Sequence, residues 1–262
     1  MRILRRIVKK SFWNAHDHLG ACIVLNMLWL VLAAPWFFVS FVAFRLLVGW
    51  LGSVGFITGC FATLVALWLN PASLTILAAA TAWADYRSAK GGNLWAFFRA
   101  RLVHGLWLSF AGFLIATMLG VNAAVYLRLG GIWRWVGLMI AGIMLWAMLA
   151  LAGVTFHLGL ALARDRELRL REGIRRAVVL ALTLPAQSLV LAGASVVLAV
   201  VLFFTGVGLP LMLFSLPAIL AATGEREFLK RFRTYVPDQE EADHLEEVRS
   251  FRDLLHPWQM DR

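Results

Sequence analysis

Charge is what this chain of 262 residues has least of: 15% of it is Asp, Glu, Lys or Arg, where a soluble domain carries about 25%. The deficit is concentrated. Residues 20–44, 46–84, 102–127, 135–163 and 177–224 contain no charged side chain at all. A soluble helical bundle needs charged faces on most of its helices, so that class is excluded. Cysteine is nearly absent. Cys22 and Cys60 lie in apolar runs without a CxxC context, which points to packing rather than redox chemistry. No Gly-rich phosphate fingerprint occurs, which argues against an ATPase subunit. Thr183 and Ser195 have no recognisable base partner, so nucleophilic catalysis is not expected.

What fills the uncharged runs is hydrophobic, 61% of the chain. A bilayer core of about 30 Å takes about 20 apolar residues as one helix. Runs 20–44, 102–127 and 135–163 fit one span each. Run 177–224 is long enough for two, with Gly206-Val207-Gly208-Leu209-Pro210 as the turn. Run 46–84 would reach roughly 58 Å as one straight helix. It reads as one span plus an extra piece, with a kink or break at Asn70-Pro71, because Pro71 cannot donate to the helix ladder and disfavours helix at Asn70. The expected fold class is all-α: a polytopic membrane protein of six spans flanked by short cytoplasmic amphipathic helices.

The formal net charge is +10, but its placement argues against nucleic acid as partner. Five basic residues precede the first span. Arg45 alone lies between spans one and two. Arg87, Lys90, Arg99 and Arg101 follow, then Arg128 and Arg134, then six arginines from Arg164 to Arg176. The next loop has none and the tail has several. The positive-inside rule then puts both ends in the cytoplasm. A cleaved signal peptide is not expected, since the apolar stretch continues past Pro35 to Phe44. The expected location is a bacterial cytoplasmic membrane. Trp36, Trp50, Trp133 and Trp135 are expected at the outer interface, and Trp13, Trp83 and Trp95 at the inner one.

The organisation reads as 1–19, a basic interfacial helix; 20–224, the spans; and 225–262, a cytoplasmic amphipathic tail. Arg5, Arg6, Lys9 and Lys10 in the first segment are expected to meet anionic lipid, as are Arg169, Arg171, Arg175 and Arg176 in the fourth loop. That loop, Arg164 to Arg176, should be helical through acid-before-base pairs at i, i+4. Asn93 is expected to cap a short helix feeding span three. Gly55 and Gly59 form a small-xxx-small step for helix packing. In the tail, Pro237-Asp238 starts a helix whose stripe Leu245, Val248, Phe251 and Leu255 should meet a partner or a surface.

Polar residues within the spans are the candidates for a substrate site: His157, Asn26, Asn70 and Pro71. Each also has a structural reading. A neutral His is satisfied by a hydroxyl or carbonyl of another helix, and membrane amides hydrogen-bond between helices. A broken helix at Asn70-Pro71 could instead offer backbone groups to a solute. His16-Asp17-His18 is no metal cluster, because positions i and i+2 do not share a helix face. No metal, cofactor or catalytic residue is expected.

Asn26-Met27-Leu28-Trp29, Asn70-Pro71-Ala72-Ser73-Leu74, Ala96-Phe97-Phe98-Arg99 and the run Arg164 to Arg171 occur in this order. In this the chain resembles the YesL-like bacterial membrane proteins, a domain family of unknown function, over most of residues 10–220. The resemblance implies a link to carbohydrate uptake and supplies no catalytic residues. The expected function is a non-enzymatic membrane component, accessory to transport or assembly and working through a membrane or cytoplasmic protein partner. A small secondary transporter is the alternative, with His157, Asn26 and the Asn70-Pro71 break converging on one cavity.

Overall fold

The computed structural model describes residues 2–206 and 212–231, and these are all helix, turn and loop. Helix α1 spans Arg2–Asp17, α2 Leu19–Leu51, α3 Ser53–Leu69, α4 Pro71–Ala84 and α5 Gly91–Leu127. A 3-10 turn at Gly131–Trp133 leads into α6, Arg134–Arg164. Then come α7 (Leu170–Thr183), α8 (Pro185–Phe204) and α9 (Ser215–Arg231). The tail stripe of Leu245, Val248, Phe251 and Leu255 lies outside the described residues.

Helices α2, α5, α8 and the Gly131–Arg164 segment are each long and apolar enough to cross a bilayer. The pair α3 and α4, bent by 60° at Asn70, is a candidate fifth span. Large apolar side chains face outward along them, among them Val31, Phe38, Trp107, Trp146 and Phe204. Water would penalise such a surface, and lipid does not. Helix α9 is different. Only Ser215 to Gly224 precede its first charge, about 15 Å of helix.

Several boundaries differ from the expectation. Helix α2 does not stop before Arg45 but runs on to Leu51, and the connection to α3 shrinks to Gly52. Gly52 has φ +63, a conformation that glycine adopts at no steric cost. Helix α5 is continuous from Gly91, with Lys90 rather than Asn93 at its N-cap. The segment 165–169 is not helical. Asp165 Oδ1 accepts from the Glu167 amide at 3.0 Å, an Asx turn that competes with helix. The Arg101 guanidinium donates to the carbonyls of Asp165, Arg166 and Leu168. Of the expected i, i+4 pairs, Glu172 with Arg176 forms an ion pair, on α7.

The tightest seam runs between α3 and α5. On α5 the inward face is Gly105, Ser109, Gly112, Ala116, Gly120 and Ala123, one small residue every three or four positions. A Cβ on Gly120 would lie 2.3 Å from Thr58 Cγ2 and one on Gly112 2.8 Å from Val65, and past the end of α3 one on Gly105 would lie 2.9 Å from Pro71 of α4. Ser109 Oγ donates to the Ala66 carbonyl at 2.9 Å across the seam. On the other side of α3, a Cβ on Gly55 would meet the Leu47 carbonyl of α2, and one on Gly59 would lie 2.8 Å from Phe44.

Candidate functional site

Two short helices begin inside the bundle. Helix α4 starts at the Asn70-Pro71 break, with Pro71 at N1, where its missing N–H is no loss. Asn70 Oδ1 accepts from the Ala72 amide at 2.9 Å. Helix α9 starts at Ser215, and Asn26 Oδ1 accepts from the Phe214 amide at 2.9 Å. Each asparagine therefore satisfies a backbone donor at a helix start buried away from water. Around these starts lies an aromatic cluster. Trp29 stacks on Phe214 at 5.0 Å, and Trp68 stacks on Phe156 at 5.3 Å. Trp29 Nε1 donates to Ser73 Oγ at 2.7 Å. Asn70 Nδ2 is buried without a hydrogen-bond partner among the described residues.

Helix α4 ends, and α9 passes, at a buried ionic cluster. His157 of α6 reaches Glu225 Oε1 with Nδ1 at 3.1 Å and Ser188 Oγ with Nε2 at 2.7 Å. Glu225 Oε2 pairs with Arg164 Nη1 at 3.3 Å. Arg164 Nε pairs with Asp85 Oδ2 at 3.4 Å, and Arg87 pairs with the same oxygen at 3.0 Å. Arg226 Nε lies 3.7 Å from Asp85 Oδ1, and its guanidinium donates to the Ala84 carbonyl. The same guanidinium sits 4.5 Å over the Tyr86 ring. Tyr86 holds φ +53, a left-handed conformation that costs about 1–2 kcal/mol for a residue with a Cβ. Arg226 covers this turn from one side.

The proton inventory at His157 is informative. Ser188 Oγ also lies 2.7 Å from the Leu184 carbonyl, to which it donates. With its hydrogen committed there, Ser188 accepts from His157 Nε2. Nδ1 and the Glu225 carboxylate then face each other and share one further proton. Alternatively Ser188 turns its hydroxyl to Nε2, and Nδ1 donates to Glu225.

A separate ion pair ties α1 to α9. Lys10 Nζ meets Glu227 Oε1 at 3.1 Å, with both side chains 5% exposed. Arg6 lies 3.9 Å from the other oxygen. Lys10 therefore faces protein rather than lipid, a correction to the expectation for it, and Ile7 and Trp13 of α1 are buried too. Arg5 and Arg6 remain exposed and Lys9 half-buried; Arg169, Arg171, Arg175 and Arg176 are exposed. Trp13 and Trp83, expected at the inner interface, are buried within the protein, with Trp83 stacked on His18 at 4.6 Å. Burial holds the His18 imidazole below its usual pKa, against the pull of Asp17.

A cavity of about 380 Å³ opens beside Arg164, between α4, the segment 87–89, the start of α5 and the end of α6. Arg87, Arg164 and Arg166 line it, with Thr81, Ser88 and Asn93. His157, Asn26 and Asn70 do not line it. His157 belongs to the ionic cluster, while Asn26 and Asn70 serve the two helix starts. Sequence reasoning missed Asp85, Arg164, Glu225, Arg226 and Glu227. The acid the spans were thought to lack is Glu225, buried in the middle of α9 and not the first residue of a solvated tail. Two signals were present. Asp85 is the sole acid between Asp17 and Asp165. The small buried face Ala218, Ala221, Ala222 continues at helical spacing into Glu225.

The chain matches no protein-family model, no curated protein and no solved structure.

Proposed function

We propose that this protein is a non-enzymatic, multi-pass membrane protein of the permease type. The observation carrying this reading is the pair of half-length helices, α4 and α9. Their N-termini start inside the bundle at Asn70 and Phe214, and the end of α4 and the middle of α9 reach the Asp85–Arg164–Glu225–His157 cluster. Helices that start at mid-depth and ionisable groups packed inside a bundle are what transport sites use. The His157–Glu225 pair gives such a site a place to hold a proton.

The topology we propose has six passes, with α9 as a short last one and both ends cytoplasmic. The segments 85–90 and 165–169 and helix α1 then share the inner side with most of the basic loop residues. Arg169, Arg171, Arg175 and Arg176 are set to meet anionic lipid there. The resemblance to YesL-like proteins favours a bacterial cytoplasmic membrane and carbohydrate-derived solutes. Reporter fusions after residues 88 and 167 should read cytoplasmic, and one after 130 external. In proteoliposomes offered mono- and oligosaccharides, currents abolished by His157→Ala support the permease reading. Fluxes that His157→Ala leaves unchanged overturn the role of the cluster.

The stripe Leu245, Val248, Phe251 and Leu255 favours a second reading, an accessory component docking on a membrane or cytoplasmic protein. Crosslinking from residues 238–256 in native membranes should then recover one specific partner. Recovery of lipid alone, with activity kept after deletion of the tail, counts against it.

A further inference from the structure

We infer that the cavity beside Arg164 is a binding site for a phosphoryl group, a reading that stands whether or not a solute crosses the bundle. Three arginines, Arg87, Arg164 and Arg166, line this one space of about 380 Å³, and no acidic residue lines it. The acids behind it are too few to neutralise them. Asp85 is shared by Arg87, Arg164 and Arg226, and Glu225 by Arg164 and His157.

Those acids position the guanidinium groups rather than saturate them. An arginine carries five N–H donors. Arg87 places one on Asp85. Arg164 is held by Asp85 at Nε and by Glu225 at Nη1, with Nη2 buried, so it adds charge to the wall rather than a free donor. Arg166 makes one long contact, 3.5 Å, to the Ala96 carbonyl. Planar forks with donors in hand fit tetrahedral phosphate oxygens, which accept two parallel bonds from one guanidinium.

The remaining wall adds neutral donors. Ser88 and Asn93 line the cavity beside the start of α5. No side chain caps that helix start at Lys90. A Cβ on Gly91 or Gly92 would meet nothing within 4 Å, so the approach to their backbone is open. The first amides of a 37-residue helix point outward there. Ser88 and Asn93 thus add neutral donors to the arginines on one wall, and the open start of α5 lies next to them.

The phosphoryl group could come from a phospholipid of the adjacent leaflet or from a soluble phosphate monoester. Full-length protein in nanodiscs separates the two. One arm compares phosphatidylcholine discs with discs containing phosphatidic acid, scoring lipid retained in native mass spectrometry. The other titrates glucose 6-phosphate against protein in phosphatidylcholine discs. Arg87→Gln, which leaves Asp85 its pairs with Arg164 and Arg226, and Arg166→Gln both change exposed side chains and should each weaken binding by about tenfold. Arg134→Gln, which removes the same charge at the far end of α6, should leave it unchanged. Loss in the lipid arm supports a headgroup site, and loss in the glucose 6-phosphate arm supports a soluble ligand. Equal binding by the site variants and Arg134→Gln in both arms overturns the proposal, as does no binding in either. A thermal unfolding midpoint matching the unsubstituted protein shows that a loss of binding is not a loss of fold.

Discussion

The α3–α5 seam and the charged end of the bundle hold helices together by opposite means. Along the seam, Gly105, Gly112, Ala116 and Gly120 let two backbones approach until little but main chain and methyl groups touch. One hydrogen bond, from Ser109 to Ala66, crosses it. At the charged end, Asp85, Arg164, Glu225, Arg226, Lys10 and Glu227 hold α1, α4, α6 and α9 through ion pairs. In lipid, apolar area contributes little between helices, so contact distance decides the seam. Charges away from water are stable only as complete sets. The seam should fail gradually when a side chain grows, and the charged end abruptly when one partner leaves.

The largest expected effect tests the abrupt side. Arg226→Ala removes the donor to Ala84 and a partner of Asp85, and should destabilise by about 3–5 kcal/mol in an SDS-unfolding titration. A change below about 1 kcal/mol would mean that the turn at 84–86 does not depend on it. Next comes the Lys10–Glu227 pair. Glu227→Met alone should cost about 3 kcal/mol, whereas Lys10→Met with Glu227→Met should return most of it, because an apolar pair leaves no stranded charge. Additive losses in that double-mutant cycle would show the two residues to be uncoupled.

On the seam, Gly120→Leu should cost about 1–3 kcal/mol through overpacking against Thr58. The effect should shrink when Thr58→Ala is added, and a loss unaffected by that change would break the assignment. Ser109→Ala is the smallest, near 0.6 kcal/mol, the average for hydrogen bonds between membrane helices. A loss as large as that of Arg226→Ala would erase the distinction between the two regions.

The two regions also differ in how far they can be read from the chain alone. Uncharged runs announce apolar helices because hydropathy is a local property, and the break at Asn70-Pro71 follows from proline chemistry. Gly55 and Gly59 stand out by spacing. The charged end does not stand out, because its chemistry lies in pairs far apart in sequence. Asp85 meets Arg226, and Lys10 meets Glu227, 217 positions away. Glu225 reads as the start of a solvated tail by its neighbours, and only its contact with His157 places it inside. The loop 165–169 misleads for a related reason: its acid–base spacing suits a helix, but Arg101 from another helix takes its carbonyls.

The clasp between Lys10 and Glu227 also sets an order of events during synthesis. Helix α1 leaves the ribosome long before α9, with Ile7, Trp13 and Lys10 on a face that α9 has yet to cover. Its counterpart on α9 emerges only after every intervening apolar segment has been handed to the insertion machinery. Until then that face of α1 waits for its cover, and α9 acts as the closing stitch.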